Sequence, residues 1–171
     1  MLNYFRTREK LPQRGTALSG QFLRTFSSFF FRITTVKKEI MIDHLSTYAT
    51  DYPATKSFYE AAFAPLGYTL QMEFVAEWNA DFPSQRMCAF GVNGKPTFWI
   101  IETKEKSTPR HVAFSAASRD AVDQFYAEAL THGGKDNGQP GLRPHYHADY
   151  YGAFTIDPDG NNVEAVCHAP L

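Results

Sequence analysis

Three side chains in this sequence have the types and positions expected of a divalent-metal site. His44 and His111 each begin a predicted strand, and Glu164 stands in an apolar run near the end of the chain. A charged side chain is rarely left among apolar neighbours without a partner. Two imidazoles and one carboxylate leave about three positions of an octahedral cation open for substrate or water. The sequence therefore predicts a cation bound by His44, His111 and Glu164.

A second group of reactive side chains lies in residues 142–151, just before a predicted strand. Histidines titrate near neutral pH and can act as general acids or bases. Arginine can clamp a carboxylate or phosphate, and tyrosine can donate a hydrogen bond or stack on a ligand. The alternative is an aromatic loop that only packs on the sheet. The candidates are His145, His147 and Tyr151 for catalysis, and Arg143 and Tyr146 for substrate binding, with Tyr150 an alternative among the tyrosines.

An internal repeat relates the two candidate histidine ligands. Residues 44–67, laid on residues 111–134 without a gap, are identical at seven of 24 positions, where average residue usage would give about one or two. Each copy predicts a short strand and then a helix, capped by Asp51 in the first copy and by Ser118 in the second. Because duplicated halves lie on opposite sides of a pseudo-two-fold axis, both histidines can face one central cleft.

Three further strands are predicted after each helix. The segments are Tyr68–Val75, Arg86–Phe90 and Thr97–Ile101 in the first copy, and a weak strand after Gly134, Tyr150–Ile156 and Asn162–Cys167 in the second. Asn93-Gly94 and Asp157–Gly160 are typical of the turns that join the last two strands of each copy. One such half would leave an apolar sheet face uncovered. The expected fold is α+β, with two βαβββ modules forming one curved mixed sheet around a metal-binding cleft.

The last predicted strands supply a further equivalence. Alignment of the turn glycines Gly94 and Gly160 places Phe98 opposite Glu164. A phenyl ring can neither bind a cation through a lone pair nor transfer a proton. Phe98 is therefore predicted to line the substrate pocket.

These segments resemble the vicinal-oxygen-chelate superfamily, which includes glyoxalase I, fosfomycin-resistance thiol transferases, extradiol dioxygenases and bleomycin-binding proteins. The resemblance lies in His44…Phe58-Tyr59, His111–Ser115 and Asp157–Glu164, and it covers Met41 to about His168. It implies paired βαβββ modules around one divalent cation (Fe, Mn, Ni or Zn), with ligands at His44, His111 and Glu164. Glyoxalase-I-like members have a fourth ligand, usually glutamate, where this sequence has Phe98.

Three functions are compatible with these residues. The first is a glyoxalase-like enzyme that stabilises an enolate or oxyanion of a small oxygen-bearing substrate, of the lyase, isomerase or thiol-transferase type. The second is an Fe(II) extradiol-type dioxygenase. The third is a non-catalytic protein that holds a small apolar or aromatic compound. The expected partner is a small molecule, and a homodimer is left open.

Composition and charge limit the remaining possibilities. The 171 residues are 43% hydrophobic and 20% charged, and no apolar run is long enough for a membrane span. Two cysteines cannot form a disulfide scaffold. Residues 41–171, the predicted glyoxalase-like domain, have nine basic and 16 acidic residues, which argues against a nucleic-acid surface.

Residues 1–40 differ from the rest of the chain. They contain eight basic and two acidic residues, with phenylalanines at helical spacing. Such a basic, amphipathic segment is typical of a mitochondrial transit peptide and predicts the mitochondrial matrix. The alternatives are a flexible extension or a segment upstream of a true start at Met41, and these predict the cytoplasm.

Overall fold

Residues 42–170 are described by a computed structural model of the chain. The predicted extension, residues 1–40, lies outside the described residues. Within residues 42–170, no helix is long and apolar enough to cross a membrane.

The first half forms a βαβββ module. Its elements are β1 (Leu45–Ala49), α1 (Tyr52–Phe63), β2 (Thr69–Val75), β3 (Arg86–Val92) and β4 (Lys95–Glu102). The strands lie in the order β1-β4-β3-β2, with β1 parallel to β4 and the other pairs antiparallel. This arrangement confirms the predicted strand–helix–hairpin pattern.

The second half repeats the same connectivity. Its elements are β5 (His111–Ser115), α2 (Arg119–Thr131), β6 (Lys135–Leu142), β7 (Tyr151–Ile156) and β8 (Asn162–Cys167). The strand order is β5-β8-β7-β6, with β5 parallel to β8. The strand expected after Gly134 is β6, an edge strand whose pairing with β7 shifts register twice. The α+β class and the duplication are confirmed.

Local signals in the sequence account for the ends of these elements. The Asp51 carboxylate accepts a hydrogen bond from the Ala54 amide, and the Ser118 hydroxyl accepts one from the Ala121 amide, so each helix begins at its predicted cap. Asn93 and Gly94 both have positive φ, 54° and 77°, as a two-residue hairpin turn between β3 and β4 requires.

The hydrophobic core lies between the helices and the sheets and contains residues of both modules. Phe63 on α1 contacts Phe98 on β4 and Phe114 on β5, with ring centroids 5.3 and 4.7 Å apart. Phe98 and Phe114 also contact each other at 5.4 Å. Edge-to-face pairs of this kind add about 0.5–1.5 kcal/mol each beyond their buried area. The two modules are therefore halves of one core.

The turn between β7 and β8 attaches the second module to the first. Tyr59 on α1 donates a hydrogen bond to Asp157 (2.8 Å), and both residues are buried. Asp159 accepts hydrogen bonds from Thr50 and Thr55 of the first module. The Asp157–Gly160 turn predicted from the sequence therefore also joins the two modules. In residues 42–170 the strands form two four-stranded sheets, and no backbone ladder joins β1 to β5.

Candidate metal centre

Strand pairing in the second module brings two of the three predicted ligands together. In the parallel β5–β8 pair, His111 lies opposite Asn162 and Ala113 lies opposite Glu164. Alternation along the strands therefore places the side chains of His111 and Glu164 on the same face. The opposite face carries Val163 and Ala165, which belong to the core.

This face forms one wall of a cavity of about 540 Å³. Four of its seven lining residues are on strands, and three belong to the loop between β6 and β7. The lining residues are His111, Tyr146, His147, Tyr150, Phe154, Asn162 and Glu164. The loop containing the second group of predicted residues is thus part of the cavity wall.

Glu164 is a buried acid, with only 2% of its surface exposed. Tyr150 donates a hydrogen bond of 2.5 Å to its Oε1 atom. Burial, followed by this hydrogen bond, raises the pKa of Tyr150 to about 12. The phenol therefore stays a donor at neutral pH and fixes the orientation of the carboxylate.

The ring of His111 is oriented by the backbone of the neighbouring strand. Its Nδ1 atom lies 3.2 Å from the carbonyl oxygen of Asn162, and because a carbonyl only accepts, Nδ1 must carry a proton. In the neutral ring, Nε2 then has a lone pair, and it lies 3.2 Å from Oε2 of Glu164. Two acceptors at this distance repel each other unless a proton or a cation lies between them.

The donor pair suits a divalent cation. Histidine ligands in metal sites commonly donate one ring N–H to a backbone carbonyl and bind through the other nitrogen, as His111 is oriented to do. Two ligand atoms about 2.1 Å from a cation and at right angles lie about 3 Å apart, close to the spacing of His111 Nε2 and Glu164 Oε2. The two residues present therefore fit a metal.

The third predicted ligand, His44, is not part of this group. It precedes β1, its Nδ1 atom lies 3.0 Å from the Asp43 carboxylate, and 60% of its side chain is exposed. Asp43 also accepts a hydrogen bond from Lys95. Within residues 42–170, no group of three or more His, Cys, Asp or Glu side chains is close enough to hold a metal ion. In the described chain, two of the three predicted ligands, His111 and Glu164, thus lie together and His44 lies elsewhere; metal binding by these residues stays a prediction.

Phe98 does not line the cavity. It lies opposite Leu45 in the β1–β4 pair, is 2% exposed, and packs against Tyr59 and Phe63 in the core. The residue that corresponds to Glu164 is Trp99, because Trp99 pairs with Ser46 as Glu164 pairs with Ala113. The alignment of Phe98 with Glu164 was wrong by one residue, and one residue exchanges the two faces of a strand.

Tyr151 also lies on the face opposite the cavity. Its hydroxyl donates to Asp123 on α2, and the Arg119 guanidinium lies 5.2 Å from its ring centre. Tyr150, the preceding residue, is the tyrosine that contacts Glu164. Phe154 pairs directly with Glu164, and every second side chain of a strand lies on the same face. Counting back from Phe154 in steps of two leads to Tyr150, so this alternation could have selected Tyr150.

The other predicted loop residues lie at or beside the cavity. Tyr146 and His147 line it, and His145 packs against Tyr146 with ring centroids 4.2 Å apart. Arg143 donates to the carbonyl oxygens of Gln139 and Leu142, and its guanidinium lies 5.5 Å from the Phe154 ring centre. Arg143 is thus directed at backbone carbonyls beside the cavity.

Three residues in or next to this site were missed as candidates. Asn162 and Phe154 line the cavity, and both lie on the same face as Glu164 by strand alternation. His168 lies just beyond β8, with its Nδ1 atom 2.7 Å from Nε2 of His147. Nothing in the sequence spacing indicates that contact, because it joins a loop to a strand end.

Comparison with known proteins identifies the class of protein that has this fold. The family model of the Glyoxalase/Bleomycin resistance protein/Dioxygenase superfamily matches residues 41–165. The chain belongs to this superfamily, as the resemblance in its sequence predicted. No curated protein sequence matches the chain.

Solved structures show the same fold. A glyoxalase/bleomycin resistance protein from Albidiferax ferrireducens T118 is 26% identical, with a TM-score of 0.58 over 77% of this chain and 100% of that one. A family enzyme from Burkholderia phytofirmans PsJN is 19% identical, with a TM-score of 0.52 over 74% and 98%. A glyoxalase I mutant from Zea mays is 20% identical, with a TM-score of 0.55 over 73% of this chain and 45% of the maize chain.

Proposed function

We propose that this protein is a metal-dependent enzyme that acts on a small oxygen-bearing substrate in the cavity beside β8. The observation that carries the proposal is the orientation of His111, whose Nδ1 atom faces a backbone carbonyl and whose Nε2 atom faces the buried Glu164 carboxylate. A divalent cation bound there would supply a Lewis acid for an enolate or other oxyanion. This chemistry is of the lyase, isomerase or thiol-transferase type.

The protein's own residues have separate tasks in this proposal. His111 and Glu164 hold the cation, and Tyr150 orients Glu164 through its hydrogen bond. Tyr146 and Phe154 give the cavity an aromatic wall against which a flat substrate can stack. His145 is the proposed proton shuttle, because both ring nitrogens of His147 are within hydrogen-bond distance of protein atoms.

His44 remains our proposed third ligand. His44 corresponds to His111 in the internal repeat: it directly precedes β1, His111 begins β5, and each of these strands runs parallel to the last strand of its module. In the described chain its ring lies against Asp43, so it must reach the cation after a rearrangement or from a second copy of the chain. The second route makes a homodimer part of the proposal.

Metal analysis of the purified full chain tests this function. We expect one equivalent of Mn, Fe, Ni or Zn per chain in the wild type. H111A and E164Q should lose it, and H132Q, which changes the half-exposed histidine that directly follows α2, should retain it. Stoichiometric metal in H111A would contradict the proposal. Iron together with oxygen uptake on catechols would instead identify the dioxygenase alternative.

The aromatic lining and the displaced His44 favour a second candidate, a protein that only binds a small compound. A metal-independent binding protein should show the same melting temperature with and without EDTA. The wild type and E164Q should then also bind planar aromatic compounds with equal affinity. A fall in melting temperature on chelation, reversed by adding the metal back, would exclude this candidate.

A further inference from the structure

Two histidines outside the ligand set join the loop over the cavity to the end of β8. Nε2 of His147, in the loop, lies 2.7 Å from Nδ1 of His168. The rings are nearly parallel, with an interplanar angle of 27° and centroids 4.9 Å apart. Tyr150 meets both rings edge-on, and the same Tyr150 donates to Glu164. The histidine pair therefore contacts the residue that orients the buried carboxylate.

The hydrogen bonds at this pair define which nitrogen carries each proton. The backbone amide of Asp149 donates to Nδ1 of His147, so Nδ1 is unprotonated and the proton of the neutral ring is on Nε2. That proton points at Nδ1 of His168, which must be the acceptor. The proton of His168 is then on its own Nε2 atom. With this direction of donation, the Asp149 amide, the His147 ring and Nδ1 of His168 each have a hydrogen-bond partner.

The same arrangement argues against a metal ion between the two rings. A metal-binding imidazole offers a lone pair and commonly donates its other nitrogen's proton to an acceptor. His147 does the reverse, because its Nδ1 atom accepts from an amide and its Nε2 atom carries the proton. The pair therefore attaches the loop to the residue after β8 by a hydrogen bond.

We propose that His168 is a positioning residue, which holds His147 in its Nε2–H form and thereby keeps Tyr150 on Glu164. Residues 143–150 are joined to β8 and the residue after it by two side-chain hydrogen bonds, His147 to His168 and Tyr150 to Glu164. Loss of the His147–His168 hydrogen bond would therefore leave the Tyr150–Glu164 hydrogen bond less well supported. The inference rests on the proposed function only in treating this loop as the wall of a substrate site.

Added protons should open this contact. A proton on Nδ1 of His147 removes the acceptor of the Asp149 amide, and a proton on Nδ1 of His168 removes the acceptor of His147. Tyr150, which meets both rings, stays a neutral phenol at neutral and mildly acidic pH. Protonation of either ring should therefore loosen residues 143–150.

Nitrogen-15 spectra of the imidazole rings test the tautomer in the metal-free, full-length wild type at pH 7.5. We expect His147 to have an unprotonated Nδ1 atom and a protonated Nε2 atom. Hydrogen exchange of residues 143–150 is compared in wild type, H168A, H168N and the control H132Q. We expect exchange to be about fivefold faster or more in H168A, as loss of one neutral hydrogen bond implies. H168N should resemble the wild type, because its amide oxygen can replace Nδ1 as acceptor.

A protonated Nδ1 atom on His147, or unchanged loop exchange in H168A, would overturn the inference. Exchange in the wild-type loop should also rise as the pH falls from 7.5 to 5.5, after correction for intrinsic rates, and H168N should show a smaller rise. Both readouts use metal-free protein. A confirmed tautomer in a protein that binds no metal would therefore leave the inference intact and reject the proposed function.

Discussion

The hydroxyl of Tyr59 donates to Oδ2 of Asp157 across the boundary between the two modules, at 2.8 Å and with both residues buried. Burial, and then the neighbouring Asp157 charge, holds the pKa of Tyr59 well above its ordinary value. Asp157 also accepts hydrogen bonds from the amides of Asp159 and Asn161. One buried carboxylate thus organises the turn and attaches it to α1.

Tyr59→Phe should therefore destabilise the whole domain. The substitution removes one donor to a buried carboxylate, which costs about 1.5–3 kcal/mol. Urea unfolding measures the free energy, and Tyr146→Phe, at a tyrosine that is 60% exposed, is the matched control. A change below about 0.5 kcal/mol in Y59F would mean that this contact does not join the modules.

The register of β4 leads to a prediction with two adjacent variants. Phe98→Glu would place a charge in the core, among Tyr59, Phe63 and Phe114, and should cost at least about 3 kcal/mol or prevent folding. Trp99→Glu would place the same charge on the other, partly exposed face and should fold. Circular dichroism and urea unfolding distinguish them, and equal stability of the two variants would contradict the register.

The same two residues show what could be predicted from the sequence and what could not. The repeat, the caps and the turn types are local patterns, so they predicted the βαβββ modules and the strand starts at His111 and near His44. The equivalence of Phe98 and Glu164 failed because the turns differ in length. Val92 pairs with Lys95 across two residues, whereas Ile156 pairs with Asn162 across five. Turn length sets register, so aligned turn glycines do not give aligned strands.

Gly152 permits the close contact between Tyr150 and Glu164. A Cβ atom at this position would lie 3.0 Å from Glu164 Oε1 and 3.2 Å from a ring carbon of Tyr150. Gly152→Ala should displace the carboxylate and weaken metal binding about tenfold or more, as changes beside metal ligands do. Gly141→Ala is the control, because its Cβ would meet only the end of the Arg143 side chain. Isothermal titration with the metal identified in wild type checks this, and equal affinities of Gly152→Ala and the wild type would contradict the predicted displacement of the carboxylate.

The Arg86–Glu102 pair predicts how stability depends on pH. Side-chain hydrogen bonds from Arg86 lower the pKa of Glu102 below its ordinary value of 4.5. A carboxyl with a lowered pKa in the folded state contributes stability above its unfolded pKa and loses it as the pH falls through the folded value. The wild type should therefore lose more stability than Glu102→Gln between pH 5 and pH 3. Parallel pH curves for the two proteins, measured by urea unfolding, would contradict the shift.

Complementation between defective chains tests whether His44 reaches the cation from a second copy. H44A and H111A are each expected to lose the metal if both residues are ligands. In a dimer whose sites combine His44 of one chain with His111 of the other, a mixed dimer of H44A and H111A has one site with both histidines. Co-expressed and purified as the mixed dimer, it should contain about half of the wild-type metal. If His44 and His111 of the same chain share a site, every site in the mixed dimer lacks one histidine, and no metal should return.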